Sequence, residues 1–440
     1  MRTLLRQVSR LRRDRSGNVA VIFAIALVPI ISAMGCAIDY SRAAQLRSKL
    51  QTAADAASVG SVAKNSPAFI AAGSMTADGS IPAGVTDATK IFNGNIQSVT
   101  GFTLNSVTPV VTKVGSTLNS TVTFSANVST MFLGVMGKSA MTLTGTSTSI
   151  ATMPLYIDFY LLLDNSPSMG VGATPADVAT MVNNTPDSCA FACHDLNNSN
   201  NYYDLAKTLG VTTRIDVLRT ATQQLMTTAA ATQTYTNQFR MAIYDFGGSS
   251  GSQGLRALFA LSSSLSAAGT AAGNIDLMTV NGQNDHNDQD TGFTTILPDI
   301  SNLISTPGPG TAASPQKYLF FVSDGVADEN NSSCIKATTS SGRCQSPIDV
   351  SLCTAIKAKN IKIAVLYTTY LALPTNPWYM SWINPFNAGP YGPSPNSQIA
   401  QNMQTCASPG LFFEVSPTQG ISEAMNALFQ KAVADARISS

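Results

Sequence analysis

The segment YLLLDNSPSMG, residues 160–170, joins a run of apolar residues directly to an acid and two hydroxyls. An unbroken apolar run is typical of a β-strand that is buried on both faces of a sheet. Asp164, Ser166 and Ser168 follow at the point where that strand would end. A strand end of this composition is compatible with a metal site, a phosphoryl-accepting aspartate or a polar turn.

Further apolar runs follow this strand along the chain. They alternate with segments of helical spacing such as RIDVLRTATQQLM and GISEAMNALFQKAV, and they read FRMAIYDF, KYLFFVS, IKIAVLY and LFFEV. Such alternation predicts an α/β domain with a doubly wound, mostly parallel sheet covered by helices on both faces. LRALFALS comes soon after FRMAIYDF and predicts an antiparallel edge strand. We place this domain at residues 154–436, with an insertion at 171–210.

Polar side chains stand at the ends of two of these strands and at the start of one helix. Asp164 follows the first strand, Asp324 follows KYLFFVS, and Thr294 begins the helix in DTGFTTIL. Ligands bind beyond the carboxyl ends of the strands in such sheets, and hard oxygen ligands suit Mg²⁺ or Mn²⁺. The predicted metal site therefore comprises Asp164, Ser166, Ser168, Thr294 and Asp324. Because the hydroxyls are neutral, the ion would accept an acidic group from a protein partner. The predicted site therefore binds a partner and does not catalyse a reaction.

The same residues carry a family resemblance. DNSPS, GFTTI and FFVSDG resemble the three parts of the metal-ion-dependent adhesion site (MIDAS) of von Willebrand factor A (vWA) domains. The resemblance implies that Ser166 and Ser168 bind the ion directly and that the loop threonine joins them in one conformation. It also implies that the two aspartates act mostly through water. Phe293 replaces the glycine that the family usually has beside the threonine, which leaves Thr294 and Thr295 as alternative ligands.

The N-terminal residues have the pattern of a membrane anchor. Residues 1–16 carry six arginines and one acid, and residues 17–38 form a run of 22 residues without a charge. About 20 apolar residues span a bilayer as a helix, and an arginine excess holds its side in the cytoplasm. We predict a cytoplasmic tail over 1–16, a transmembrane helix over 17–38 in a bacterial inner membrane, and a periplasmic remainder. A cleaved signal peptide is the alternative, although its apolar core is usually only about 7–15 residues long.

Two segments lie between the anchor and the α/β domain. Residues 39–64 have helical spacing of Leu46, Leu50, Ala53 and Ala57, which predicts a helical stem. Residues 65–150 are rich in Thr, Ser, Val and Gly, and TVTFSANVS alternates apolar and polar residues as a half-buried strand does. We predict a small strand-rich module there.

The sequence from Ser16 to Ser58 is similar to the start of TadG-like proteins of the Tad (tight adherence) pilus-assembly system. The order of anchor, strand-rich module and adhesion-type domain is also found in those proteins. The resemblance implies a role in Tad/Flp pilus assembly, with other pilus-assembly proteins as partners.

The cysteines fit an exported protein. Of the seven, Cys36 lies in the predicted span and six lie beyond it. An even number of cysteines in an oxidising compartment predicts disulfides. The pairs we predict are Cys189 with Cys193, Cys334 with Cys344, and Cys353 with Cys406.

Other functions receive less support from the sequence. The net charge of +1 gives no indication of a nucleic-acid partner. A phosphotransfer enzyme built on Asp164 would need a second acid two residues later, where this chain has Ser166. The cysteine spacing in CAFACH differs from the C-x-x-C-H haem motif. The remaining alternative to metal-mediated binding is a structural cell-envelope protein whose metal site no longer functions.

Overall fold

A computed structural model gives the fold of the chain, which divides into two compact units, Met1–Met153 and Pro154–Ser440. The residues that the structure describes are 17–75, 77–190, 194–197, 201–282, 289–331, 342–369, 372–387, 397–415 and 420–438.

The first unit begins with one long helix, α1 (Gly17–Ser61), which contains Pro29 and runs through both the predicted span and most of the predicted stem. Among the described residues it is the one helix long and apolar enough to cross a membrane. Its N-terminal part exposes large apolar side chains, including Val21, Phe23 and Ile25. Its C-terminal part is amphipathic, because Leu46, Leu50, Ala53 and Ala57 are all buried as their spacing predicts.

The rest of the first unit is a four-stranded antiparallel sheet with short helices. The sheet has the order β1-β2-β3-β4. Its elements are α2 (Pro67–Ser74), β1 (Gly79–Ser80), α3 (Pro82–Ile96), β2 (Thr103–Val114), β3 (Thr117–Ser129), α4 (Phe132–Val135) and β4 (Ala140–Thr152). The alternation predicted for β3 is confirmed, since Val122, Phe124, Ala126 and Val128 are buried in one cluster with the C-terminal part of α1. The helices α2 and α3 were not predicted.

The second unit contains a six-stranded mixed sheet in the order β12-β11-β8-β5-β6-β7. Its strands are β5 (Ile157–Leu163), β6 (Phe239–Ser249), β7 (Ser252–Ser262), β8 (Gln316–Ser323), β11 (Lys362–Thr368) and β12 (Phe412–Val415). All neighbouring strands are parallel except β7, which pairs antiparallel with β6. The predicted mostly parallel sheet with an antiparallel edge is therefore present.

Helices connect the strands of this sheet. They are α5 (Pro175–Asn184), α6 (Tyr202–Thr208), α7 (Arg214–Thr232), α8 (Leu265–Ala272), α9 (Phe293–Leu303), α10 (Val350–Ala358), α11 (Asn384–Asn387), α12 (Gln398–Cys406) and α13 (Ile421–Ile438). The helices α5 and α6 lie in the segment that we predicted as an insertion. A separate antiparallel pair joins β9 (Val326–Asn330) to β10 (Arg343–Pro347).

The central strand β5 is buried along its whole length, which explains why its sequence does not alternate. Phe159 and Leu161 belong to the apolar core on one face of the sheet, and Tyr160 and Leu162 belong to the core on the other face. Apolar side chains therefore cover both faces of the sheet at β5. This arrangement concentrates candidate binding residues at the carboxyl edge.

A disulfide joins α10 to α12 through Cys353 and Cys406, whose Cα atoms are 5.1 Å apart. This is one of the pairs that we predicted. Cys344 is also disulfide-bonded, whereas its predicted partner Cys334 lies outside the described residues. Cys193, the predicted partner of Cys189, lies outside them as well.

Removal of the Cys353–Cys406 disulfide should destabilise the second unit. The bond closes a loop with a sequence separation of 53 residues, and a loop of this size corresponds to about 4 kcal/mol of stabilisation in the chain-entropy model. We expect the free energy of unfolding of C353A/C406A to be lower by about that amount, so the variant should unfold at a lower urea concentration. Cys36→Ala, in α1, serves as the control. An unchanged urea midpoint in C353A/C406A would contradict the expectation.

Candidate metal centre

Asp164 is the first residue after β5, and its carboxylate is fully buried. Its Oδ1 accepts the backbone N–H of Ser166 at 3.0 Å and the hydroxyl of Ser166 at 2.6 Å. Its Oδ2 accepts the hydroxyl of Ser323, the last residue of β8, at 2.6 Å. The carboxylate therefore links the ends of two adjacent parallel strands.

The two predicted serines lie next to each other beside this carboxylate. A single 3₁₀ turn, Pro167–Gly170, follows Ser166. The Oγ of Ser166 lies 3.1 Å from the Oγ of Ser168. Because Ser166 donates its proton to Asp164, its oxygen keeps lone pairs for another ligand. Ser166 is buried, whereas Ser168 is half-buried.

Asn165 holds the loop that carries these serines in place. Its side-chain amide donates to the carbonyl of Gly247 at 2.8 Å and accepts the backbone N–H of Phe246 at 3.0 Å. Both partners belong to β6, the parallel neighbour of β5. The serine hydroxyls thus stand on a loop that is bonded to the strands on either side, which favours a fixed geometry.

Asp324 follows β8 and is also fully buried. Burial, together with the nearby charge of Asp324, raises the pKa of Asp164 to about 7. Two carboxylates that are buried side by side disfavour their common ionised state. A divalent cation between them would remove this repulsion.

Arg214 is a neighbour of Asp324 that the sequence analysis missed. It is the first residue of α7, its side chain is fully buried, and its Nη1 lies 3.7 Å from Oδ2 of Asp324. Its Nη2 donates to the carbonyl of Thr369 at 2.7 Å. A basic residue in the first turn opposes the helix dipole. That unfavourable position was the available signal for a specific acidic partner.

Thr294 is hydrogen-bonded to a carboxylate within the protein. Its backbone N–H and its hydroxyl both donate to Oε2 of Glu329, at 3.1 and 2.5 Å. Glu329 belongs to β9 and is buried, which raises the pKa of its carboxyl group. The structure thus brings Asp164, Ser166, Ser168 and Asp324 together and bonds Thr294 to Glu329. The sequence analysis also missed Glu329, because VADEN does not have the pattern of a strand.

The oxygen atoms of the site suit a divalent cation, but its net negative charge is small. Carboxylate and hydroxyl oxygens are the ligands that Mg²⁺ and Mn²⁺ prefer. No group of three or more His, Cys, Asp or Glu side chains suited to a metal occurs within the described residues, so an ion here would depend on the serines. Arg214 adds one positive charge to the two aspartates. The three side chains therefore carry a formal charge of −1, which predicts weak binding of the ion.

Comparison with protein families gives a match at the N-terminus. Residues 17–64 match the Tad family of TadE/G-like Flp pilus-assembly proteins. The match covers α1 and three residues beyond it. Comparison with curated protein sequences gives no match.

Solved structures of pilus proteins are also similar to this chain. One is the vWF domain of the type V pili tip protein Mfa5 from Porphyromonas gingivalis, with 9% identity, a TM-score of 0.35, and coverage of 64% of this chain and 97% of that chain. Another is the PilB minor pilin from Streptococcus sanguinis, with 11% identity, a TM-score of 0.32, and coverage of 76% and 78%. TM-scores this low do not establish a shared fold.

Proposed function

We propose that this chain is a membrane-anchored component of Tad/Flp pilus assembly that binds a protein partner through a divalent cation. The family match over residues 17–64 supports the assignment to pilus assembly. The observation that carries the binding function is the pair of buried aspartates, Asp164 and Asp324, beside the hydroxyls of Ser166 and Ser168. A membrane-spanning α1 with the arginine-rich residues 1–16 in the cytoplasm would place the rest of the first unit and the whole second unit in the periplasm.

The proposed ion, Mg²⁺ or Mn²⁺, would be held by neutral and charged oxygens with separate roles. Ser166 and Ser168 would bind it directly, and the two aspartates would offset its charge through water. Neutral ligands leave the ion with positive charge to spare, which an acidic side chain of the partner would neutralise. Thr294 would join the ligands with the lone pairs that its bond to Glu329 leaves unused.

The arrangement of the second unit supports a vWA-type reading of this site. The first strand along the chain, β5, lies inside the sheet between β8 and β6. The chain therefore proceeds first to one edge of the sheet and then to the other, as in a doubly wound sheet, and the strand order reverses at β5. Asp164 and Asp324 follow the two strands that meet at this reversal, where ligands bind in such folds. We infer binding and not catalysis as the function of this position.

A structural cell-envelope protein with a non-functional metal site is the second candidate. The observations that favour it are the guanidinium of Arg214 beside Asp324 and the bond of Thr294 to Glu329. Both give a site residue a partner within the protein itself. In this alternative the second unit would bind its partners independently of metal.

Metal-dependent capture of the partner separates the two candidates. The full chain, purified in detergent and immobilised, is exposed to envelope extracts in Mg²⁺ or in EDTA, and retained proteins are identified by mass spectrometry. We expect one partner that is retained in Mg²⁺, lost in EDTA and depleted by Ser168→Ala. The matched control is Ser252→Ala, at an exposed serine of β7. Retention that is the same in EDTA and in Ser168→Ala would favour the structural protein.

A further inference from the structure

The loop between β3 and β4 exposes a cluster of large apolar side chains in the first unit. Within residues 131–136, Met131 is 71% exposed, Phe132 37%, Val135 89% and Met136 67%. The sequence of this tip, MFLGVM, contains no polar side chain. Contiguous exposed apolar groups of this size mark a contact surface for a protein or a membrane.

The tip lies against α1 where the predicted span ends. A Cβ atom on Gly35 would lie only 2.3 Å from Cγ of Phe132, so the aromatic ring packs directly on the helix backbone. The Sγ of Cys36 lies 4.0 Å from the Sδ of Met136. The preceding turns of α1 expose Met34 and Ile31, 63% and 50%. The apolar surface of the span therefore continues onto the tip.

The backbone of the tip is hydrogen-bonded within the protein. The carboxylate of Asp39, itself buried, accepts the N–H groups of Met131, Phe132 and Leu133 at 3.0, 2.8 and 2.8 Å. The carbonyl of Leu133 accepts the N–H groups of Met136 and Lys138 at 3.0 and 2.9 Å. Peptide groups can leave water only when they are paired in this way. A loop that merely faced solvent would not require it.

Polar residues mark the margin of this apolar surface. Tyr40, next to Asp39 on α1, is 68% exposed, and Lys138 is exposed at the base of the tip. Tyrosine is enriched at the level of lipid headgroups, and lysine reaches toward it with an apolar stem. A membrane surface that passes through Tyr40 and Lys138 would cover the tip and expose the sheet beyond it.

We propose that residues 131–136 insert into the interface of the bilayer that α1 crosses, and that lipid is the occupant of this apolar surface. The inference rests on the proposed membrane anchoring of α1. The loop then forms a second attachment point beside the span. Two attachment points restrain the tilt and the rotation of the first unit at the membrane surface, which a single helix would leave free.

Photo-crosslinking in the full chain tests this contact. Benzoylphenylalanine replaces Val135 in the chain reconstituted into bilayers of phosphatidylethanolamine and phosphatidylglycerol, and lipid adducts are measured by mass spectrometry. The matched control is Ile150, a β-branched residue that is 72% exposed. It lies in β4 ten residues beyond Ala140, about 30 Å from the loop along the strand. We expect at least about tenfold more lipid adduct at position 135 than at position 150.

A third position separates the loop contact from the anchor. Benzoylphenylalanine at Ile31, which is exposed in the predicted span, should also give lipid adducts. Lipid adducts at position 31 without an excess at position 135 over position 150 would overturn the loop contact and leave the anchor intact. A crosslink from position 135 to another protein chain would overturn it as well. Absence of lipid adducts at position 31 would refute the anchor and the loop contact together.

Discussion

Asp324→Ala should weaken binding of Mg²⁺ about 100-fold or more, whereas Ser168→Ala should cost about tenfold or less. Asp324 supplies one of the two buried negative charges at the site, and Ser168 supplies a neutral oxygen. The loss of Asp324 also leaves the guanidinium of Arg214 without the carboxylate that lies 3.7 Å away. The remaining cation would repel Mg²⁺. Calorimetric titration of the full chain with Mg²⁺ gives both affinities.

Stability must be measured alongside these affinities. Removing one partner of a buried ion pair costs about 3–5 kcal/mol, because the other charge stays buried. Asp324→Ala should therefore lower the melting temperature of the apo protein, and Ser168→Ala should leave it nearly unchanged. The Mg²⁺ titrations are therefore carried out well below the melting temperatures of both variants. Wild-type Mg²⁺ affinity in folded Asp324→Ala would mean that the site does not bind the ion in the way proposed.

The strands and the strand-end acids could be predicted because they depend on local pattern. A strand buried on both faces must be apolar throughout, and β5 is such a strand, so Asp164 at its end was conspicuous in the sequence. The partners of the site depend on contacts between distant residues. Glu329 lies 35 residues from Thr294 along the chain, and Arg214 reaches Asp324, which follows β8, from the start of α7. The local spacing of residues in the sequence does not indicate contacts between such distant residues.

The first unit shows the same limit. The spacing of Leu50 and Ala57 correctly predicted the buried face of α1. The boundary between the predicted span and stem, at residues 38 and 39, stays a prediction, because the charge-free and amphipathic parts form one uninterrupted helix. Gly35 and Asp39 had no evident role until the structure placed the tip of the β3–β4 loop against them. Their role depends on a segment about one hundred residues away.

Arg214 changes the charge balance on which metal binding depends. In the absence of an ion, its guanidinium is the cation beside the buried carboxylate of Asp324. A bound Mg²⁺ and Arg214 would then act on the same carboxylate and would oppose each other. The arginine therefore stabilises the metal-free protein and lowers its affinity for Mg²⁺. Its removal should destabilise the metal-free protein and strengthen binding of the ion.

Arg214→Met should make the second unit depend on Mg²⁺ for its stability. Without metal, we expect a loss of about 3–5 kcal/mol, because the buried carboxylate of Asp324 loses the guanidinium beside it. Mg²⁺ should add more stability to this variant than to the wild type, because an ion that binds more tightly stabilises the native state more. At an Mg²⁺ concentration of 100 times Kd, the stabilisation is about 2.7 kcal/mol. Denaturant unfolding with and without Mg²⁺ measures both increments.

The matched control is Arg219→Met, five residues further along α7. Arg219 bonds to Asp216 and Asp276 at 2.7 and 2.9 Å, and its side chain is 25% exposed. This variant should also lose stability, but its carboxylate partners are not those of the site, so its Mg²⁺ increment should equal that of the wild type. An equal Mg²⁺ increment in Arg214→Met and the wild type would show that Arg214 and the ion do not share Asp324. The charge of the site would then have to be neutralised in another way.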